Sequence, residues 1–303
     1  MTRSTLFAAT LALFATVPAA LAADSEGTFD KTLSVSGSPT VSVSTGAGYI
    51  HVNPGQDSQF HVIGHVHANP NSSSSDTDAR VKQIVANPPI AQSGNTITIG
   101  KHDDNDLYHN VIIDYDITTP RSTALAANSG SGSVQITGIG GTVSAQTGSG
   151  AINLSLANSS DVKAQTGSGS IHIDGFAGGL RAQTGSGSIE ATGNLTADWR
   201  LQTGSGSIHL KVAPTARFNL DASTGSGEIH VDQPITMQGT LNHHHVTGTV
   251  NGGGPALGAT TGSGSITING SATVSELQDK NSLHVPGATD CADNPSQPGC
   301  RMN

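Results

Sequence analysis

The sequence predicts an all-β chain: a parallel β-helix or β-solenoid with rungs of about 18–19 residues, capped by an N-terminal β-rich region. Three observations carry this. A T-G-S-G-type corner recurs, opening at Ser129, Thr147, Thr166, Thr184, Thr203, Thr224 and Thr261, in steps of 18, 19, 18, 19, 21 and 37 residues. Between corners, apolar and polar residues alternate, which is the pattern of half-buried strands. The composition also fits: Gly is 38 of 303 residues, aromatics are 3% and charged residues 12%, so the core must be narrow and built in thin layers.

Residues 1–22 read as a secretory signal peptide. Arg3 precedes an apolar run from Leu6 to Val17, and Ala20-Leu21-Ala22 forms a small-residue cleavage site. The run is too short to span a bilayer, and no later segment is apolar enough. The expectation is therefore an exported protein, periplasmic or at the cell surface, with no membrane span.

Residues 23–128 read as a β-rich region continuous with the repeats. Its strand-like runs include "TVSVST", "YIHVN", "QFHVIGHVHA" and "VIIDYDITT". A short helix is expected over "DTDARVKQIVAN", with Ser75 or Asp76 as N-cap and Pro88 as stop. "VSTGAGYIHV" from Val43 matches "ASTGSGEIHV" from Ala222, so this region holds a rung-like unit of its own.

Residues 129–272 are the repeats. One inward column reads Val134, Ile152, Ile171, Ile189, Ile208, Ile229, Ile266, and the next Ile136, Leu154, Ile173, Ala191, Leu210, Val231, Ile268. The other strand of each rung supplies Val143, Val162, Leu180, Trp199, Phe218, then Ala145, Ala164, Ala182, Leu201, Leu220. Gln146, Gln165, Gln183 and Gln202 point outward as a ladder able to hydrogen-bond from rung to rung. Residues 273–303 form a polar tail. Its Cys291 and Cys300, the chain's two cysteines, are expected to pair in an oxidising compartment.

Together, these segments resemble a known family. "VIIDYDITTPRSTALAANSGSGSVQITGIGGTVSAQTGSGAI" is similar to the heart of the bacterial putative-adhesin family of exported domains of unknown function. The element Tyr115-Asp116-Ile117-Thr118-Thr119-Pro120 followed by serial T-x-S-G-x-I/V rungs carries the likeness, as does "VTGTVNGGGPALGATTGSGSITI" at 246–268. The resemblance covers residues 27–272. It implies a β-solenoid with a surface role, and it transfers no catalytic residues and no cofactor. The cysteine-bearing tail departs from the family pattern.

Several motifs are candidates for chemistry. Phosphate loops open a helix and carry Lys, whereas each T-G-S-G corner opens a strand with no Lys, so it reads as a structural turn. Outward positions His172, Glu190, His209 and His230 occupy what the repeats make four successive rungs, and form a candidate Zn²⁺ or Cu²⁺ ladder. Lys163, Arg181 and Arg200 share one outward column with Asp221 next, a candidate site for an acidic glycan. "HHH" at 243–245 and "HDDNDLYHN" at 102–110 lack metal-site spacing and read as loops. The formal charge of −9 argues against nucleic acid as a partner. Expected partners are envelope polysaccharide, a surface protein or further copies of the chain. The leading functional expectation is a non-enzymatic binding, adhesion-like or structural protein of the cell envelope. The alternatives are a carbohydrate-active β-helix enzyme and a metal-binding envelope protein using the His ladder.

Overall fold

The computed structural model describes residues 26–69, 75–100, 106–236 and 244–270. The signal segment, the cysteine tail, His243 and residues 101–105 lie outside the described residues. The described residues are almost entirely β, with one helix among them, α1 (Ser75–Ala86), at the expected place.

Two series of strands face each other across one apolar core. The first runs β1 (Glu26–Ser34), β4 (Gln59–Ala68), β7 (Val111–Thr119), β3 (Ile50–Pro54), β9 (Val134–Thr137), the first half of β11 (Ile152–Thr166), the first half of β12 (Ile171–Ser186), β13 (Ile189–Asn194), β15 (Ile208–Val212), β21 (Ile266–Gly270) and β17 (Ile229–Val231). The first two pairings are antiparallel and all the others are parallel.

The second series runs β5 (Ile90–Ser93), β6 (Thr96–Ile99), β2 (Thr40–Thr45), β8 (Ala124–Ser129), β10 (Val143–Thr147), the second halves of β11 and β12, β14 (Trp199–Ser205), β20 (Ala256–Ser263), β16 (Phe218–Ser226), β19 (His245–Val250) and β18 (Ile235–Thr236). Antiparallel pairs close both of its ends.

The inward columns follow this register. Ile50, Val134, Ile152, Ile171, Ile189, Ile208 and Ile266 stand side by side and are all buried. At the N-terminal end Phe29, Gly64 and Tyr115 continue the row. The Phe29 ring fills the space a side chain on Gly64 would take, and meets Tyr115 edge-on at 6.3 Å. Helix α1 covers this end with Val81 and Ile84, and Gly27 leaves room for Val85.

Stacking order departs from chain order at both ends. β20 and β21, the last described strands, insert between β14–β15 and β16–β17. Likewise β2 and β3, from near the N-terminus, lie between β6–β7 and β8–β9. Three expectations from the sequence are corrected by this. Ile266, not Ile229, follows Ile208 in the inward column. Trp199 is followed by Leu257 and Leu220, and Leu201 by Ala259 and Ala222. Phe218 falls outside that column and pairs with Val250 of β19. The repeats could not reveal the order, because every rung presents nearly the same residues to its neighbours.

The corners explain the repeat. The hydroxyl opening each one donates across to a glycine carbonyl of the neighbouring rung: Thr147 to Gly132, Thr166 to Gly150, Thr184 to Gly169 and Thr203 to Gly187, at 2.8–2.9 Å. The same oxygen accepts the N–H three residues on, from Gly150 to Thr147 and from Gly169 to Thr166, both at 3.1 Å. A Cβ on Gly169 would collide with the Gly150 carbonyl, so stacking itself demands glycine there.

Two predictions follow from this geometry. Gly169→Ala should destabilise by about 1–3 kcal/mol through overpacking, and Ser168→Ala, at an exposed position one residue away, should stay within about 0.5 kcal/mol in denaturant unfolding. Equal effects would refute the close-approach explanation. A chain ending at Gly253 lacks β20 and β21 and should lose cooperative unfolding of its C-terminal rungs in hydrogen exchange. Unchanged protection of β14–β17 would show that the neighbouring rungs close up without the inserted pair.

Candidate ligand-binding faces

The outer surface of the second series carries the cations. Ser144, Lys163, Arg181, Arg200, Gly258 and Asp221 are successive in register, with neighbouring strands about 4.8 Å apart. Lys163, Arg181 and Arg200 therefore form a row of three adjacent cations. Arg181 and Arg200 are exposed and Lys163 is half-buried. None of the three makes an ion pair among the described residues. The row borders an open groove of about 410 Å³ that also includes Asp161, Asp198 and Asp221. Asp198 accepts the Ala256 N–H at 2.8 Å, and Asp221 faces His245 at 2.9 Å. The expected Asp221 neighbour is thus one rung further away, because β20 inserts Gly258 beside Arg200.

The outer surface of the first series carries the histidine column. Its order is His172, Glu190, His209, Thr267, His230, so Thr267 separates the last two histidines. The structure does not bring the four expected ligands together. His172 instead contacts Asp174 at 3.4 Å and Glu190 at 3.3 Å, while Lys211 reaches the other Glu190 oxygen at 3.3 Å. His230 is held 2.7 Å from Asp232. The Lys211 hydrogen bond, with His172 assisting, holds the Glu190 carboxyl below its ordinary range despite partial burial.

A second histidine cluster escaped the sequence reading. On β4, His61, His65 and His67 point outward, and on the antiparallel neighbour β7 Asp114 and Asp116 do the same. His65 lies 3.1 Å from Asp116 and His67 lies 3.0 Å from Asp114. From β3, on the other side of β7, His51 approaches Asp116 at 3.4 Å and the Tyr49 hydroxyl donates to it at 3.2 Å. Burial, then the Asp116 charge, pushes the Tyr49 hydroxyl up to about 12. Tyr49 also stacks on His51 with ring centres 4.2 Å apart. The sequence signal was the H-x-H of His65 and His67 facing the D-x-D of Asp114 and Asp116, while His61 turns to Asp30 of β1 at 2.8 Å. Asp116 already has His51, His65 and Tyr49 as partners and Asp114 has His67, which makes the cluster a polar clasp across three strands. No three His, Asp or Glu side chains converge as a metal-ligand set among the described residues.

The Toastrack DUF4097 family model matches residues 56–269, which is most of the chain and nearly all of its stacked strands. The chain belongs to this family. The toastrack family has no assigned function and corresponds to the putative-adhesin group that the rungs resemble. Solved structures similar to this toastrack chain include a putative cell adhesion protein from Clostridium sporogenes, at 12% identity, covering 80% of this chain and 99% of that one, with a TM-score of 0.32. A putative adhesin from Bacteroides fragilis stands at 13% identity, 80% and 97% coverage and a TM-score of 0.32. A putative lipid binding protein from Parabacteroides distasonis stands at 13% identity, 80% and 96% coverage and a TM-score of 0.27. At these scores the likenesses define neither ligand nor activity. No curated protein matches.

The Glu190 network of this toastrack chain sets a pH dependence. A carboxyl held low in the folded state stabilises above its unfolded pKa, here 4.5, and that contribution is lost as pH falls through the lower folded value. Lys211→Met should raise the Glu190 pKa toward 4.5 in a carboxyl NMR titration and flatten the acid limb of the stability curve. An unmoved titration would assign the shift to something other than Lys211.

Proposed function

We propose that this chain is an exported, non-enzymatic β-solenoid that binds an extended anionic polymer at the bacterial cell envelope, through Lys163, Arg181 and Arg200. The single observation behind this reading is the unpaired row of three cations in adjacent rungs, on a chain whose formal net charge is −9. On an acidic protein a local basic row selects a ligand rather than adding general charge. Its members repeat at the strand spacing, so a polymer crossing the rungs meets one cation after another. The export expectation rests on the signal-like N-terminus, and the parallel stacking of rungs supports the solenoid reading.

The non-enzymatic reading rests on the family resemblance, which transfers no catalytic residues. A glycoside-cleaving site needs one carboxyl kept protonated to act as general acid. Glu190, at the centre of the ion-pair network on the rungs, is pushed in the opposite direction.

The test uses the mature chain on immobilised dextran sulfate. Arg181→Gln/Arg200→Gln should weaken retention about tenfold, roughly 1.4 kcal/mol, and lower the salt concentration needed for elution. Its thermal midpoint should match the parent, because both side chains are exposed. Unchanged retention would overturn the assignment of the row, and release of shortened polymer would overturn the non-enzymatic reading.

A further inference from the structure

The cations do not stand alone on their rungs. In three consecutive rungs a cation is followed two residues later by glutamine: Lys163-Ala164-Gln165, Arg181-Ala182-Gln183 and Arg200-Leu201-Gln202. The middle residue of each triplet is buried, so cation and amide share the outer surface, about 6.6 Å apart along the strand. Strand register keeps both rows aligned, Lys163 with Arg181 with Arg200 and Gln165 with Gln183 with Gln202. The amides are already oriented: Gln146 Nε2 donates to Gln165 Oε1 at 3.2 Å, and Gln165 Nε2 to Gln183 Oε1 at 3.3 Å.

The paired unit is also bounded. On one side Ser144 takes the cation position, and on the other Gly258, which offers no side chain, is followed by Asp221. A bound anion is attracted over three rungs, a stretch of about 10 Å between the outer two, and repelled beyond Arg200. Asp161 and Asp198 line the far side of the same groove and confine an anionic ligand to the amide side of the row.

We infer that this grid of cation–amide units recognises a short stretch of a linear acidic polysaccharide lying across the rungs. Its carboxylates sit over Lys163, Arg181 and Arg200, and its ring hydroxyls over Gln165, Gln183 and Gln202. This rests on the proposed function and names its ligand class. Sugar hydroxyls and amides each donate and accept, so the two rows satisfy one another. A bare polyphosphate only accepts, so it can meet the amide N–H groups but gives nothing to the second lone pair of the amide oxygens, which a sugar hydroxyl can. A nucleic acid strand needs aromatic platforms for its bases, and the one aromatic residue lining the groove, Trp199, is buried with its indole N–H donated to the Gly178 carbonyl.

The experiment measures binding of the mature chain to short oligogalacturonates and, in parallel, to inorganic tripolyphosphate, a polyanion without hydroxyls. Gln165→Ala/Gln183→Ala should weaken oligogalacturonate binding about fivefold and leave tripolyphosphate binding unchanged. Arg181→Gln/Arg200→Gln should weaken both about tenfold. Gln165→Ser/Gln183→Ser, which keeps small polar groups, serves if the alanine pair lowers the thermal midpoint. Glutamine variants that bind both probes like the parent would overturn the polysaccharide assignment while the basic row stands. Arginine variants that bind both probes like the parent, or a parent that binds neither, would overturn the proposed function as well.

Discussion

Everything in this fold depends on how closely two backbones pass at each Thr-Gly corner. The second glycine of a corner lies so near the matching carbonyl of the neighbouring rung that a Cβ has no place, as at Gly150 over Gly132 and Gly169 over Gly150. The preceding threonine converts that proximity into hydrogen bonds, donating to the neighbouring carbonyl and accepting from its own turn. Register is thereby set at one end of each strand, and the inward aliphatic columns and outward ladders follow from it. A one-residue slip would remove the glycines from contact and turn every buried side chain to the surface.

That constraint is local and identical from rung to rung, so it cannot say which rung stacks on which. The chain adds order at its ends. β18 and β19 cover the outer edge of β16, and the following segment enters between β14 and β16. At the other end β2 and β3 are clasped between rungs that come later in the chain. The outermost strands at the C-terminal end of the stack, β17 and β18, are thus not the last described strands of the chain, whereas the other end closes on β1, the first. The antiparallel β1–β4–β7 unit and α1 shield the N-terminal end, which answers the exposed-edge problem of an open stack.

With corners and core committed to stacking, chemistry is confined to the outward positions. The two outer surfaces differ in kind. On the first series the carboxylates have close polar partners, as in the Asp114–Asp116 clasp with His51, His65 and His67, and in the Glu190 network with His172 and Lys211. On the second, the cations are left unpaired beside an amide ladder. A surface whose charges are internally satisfied holds strands together, whereas one with a row of unsatisfied cations is open to a ligand.

The sequence by itself determined the all-β class, the repeating corner, the inward alternation within each rung and a helix over 76–87, one residue from where it lies. These depend on contacts within one rung or on glycines that any stacking requires. It also determined the cation row, because Lys163, Arg181 and Arg200 lie in rungs adjacent in both chain and space. Only the tertiary structure decided that β21 separates β15 from β17, which breaks the expected succession from His209 to His230 and places Gly258 between Arg200 and Asp221. It alone decided that Leu257 and Leu220, not Phe218, follow Trp199. The His–Asp clasp was written in β4 and β7 but hidden, because its partners are some fifty residues apart and antiparallel pairing joins them. Near-identical rungs are interchangeable to a pattern, and only the closing of the chain ends gives each one its place.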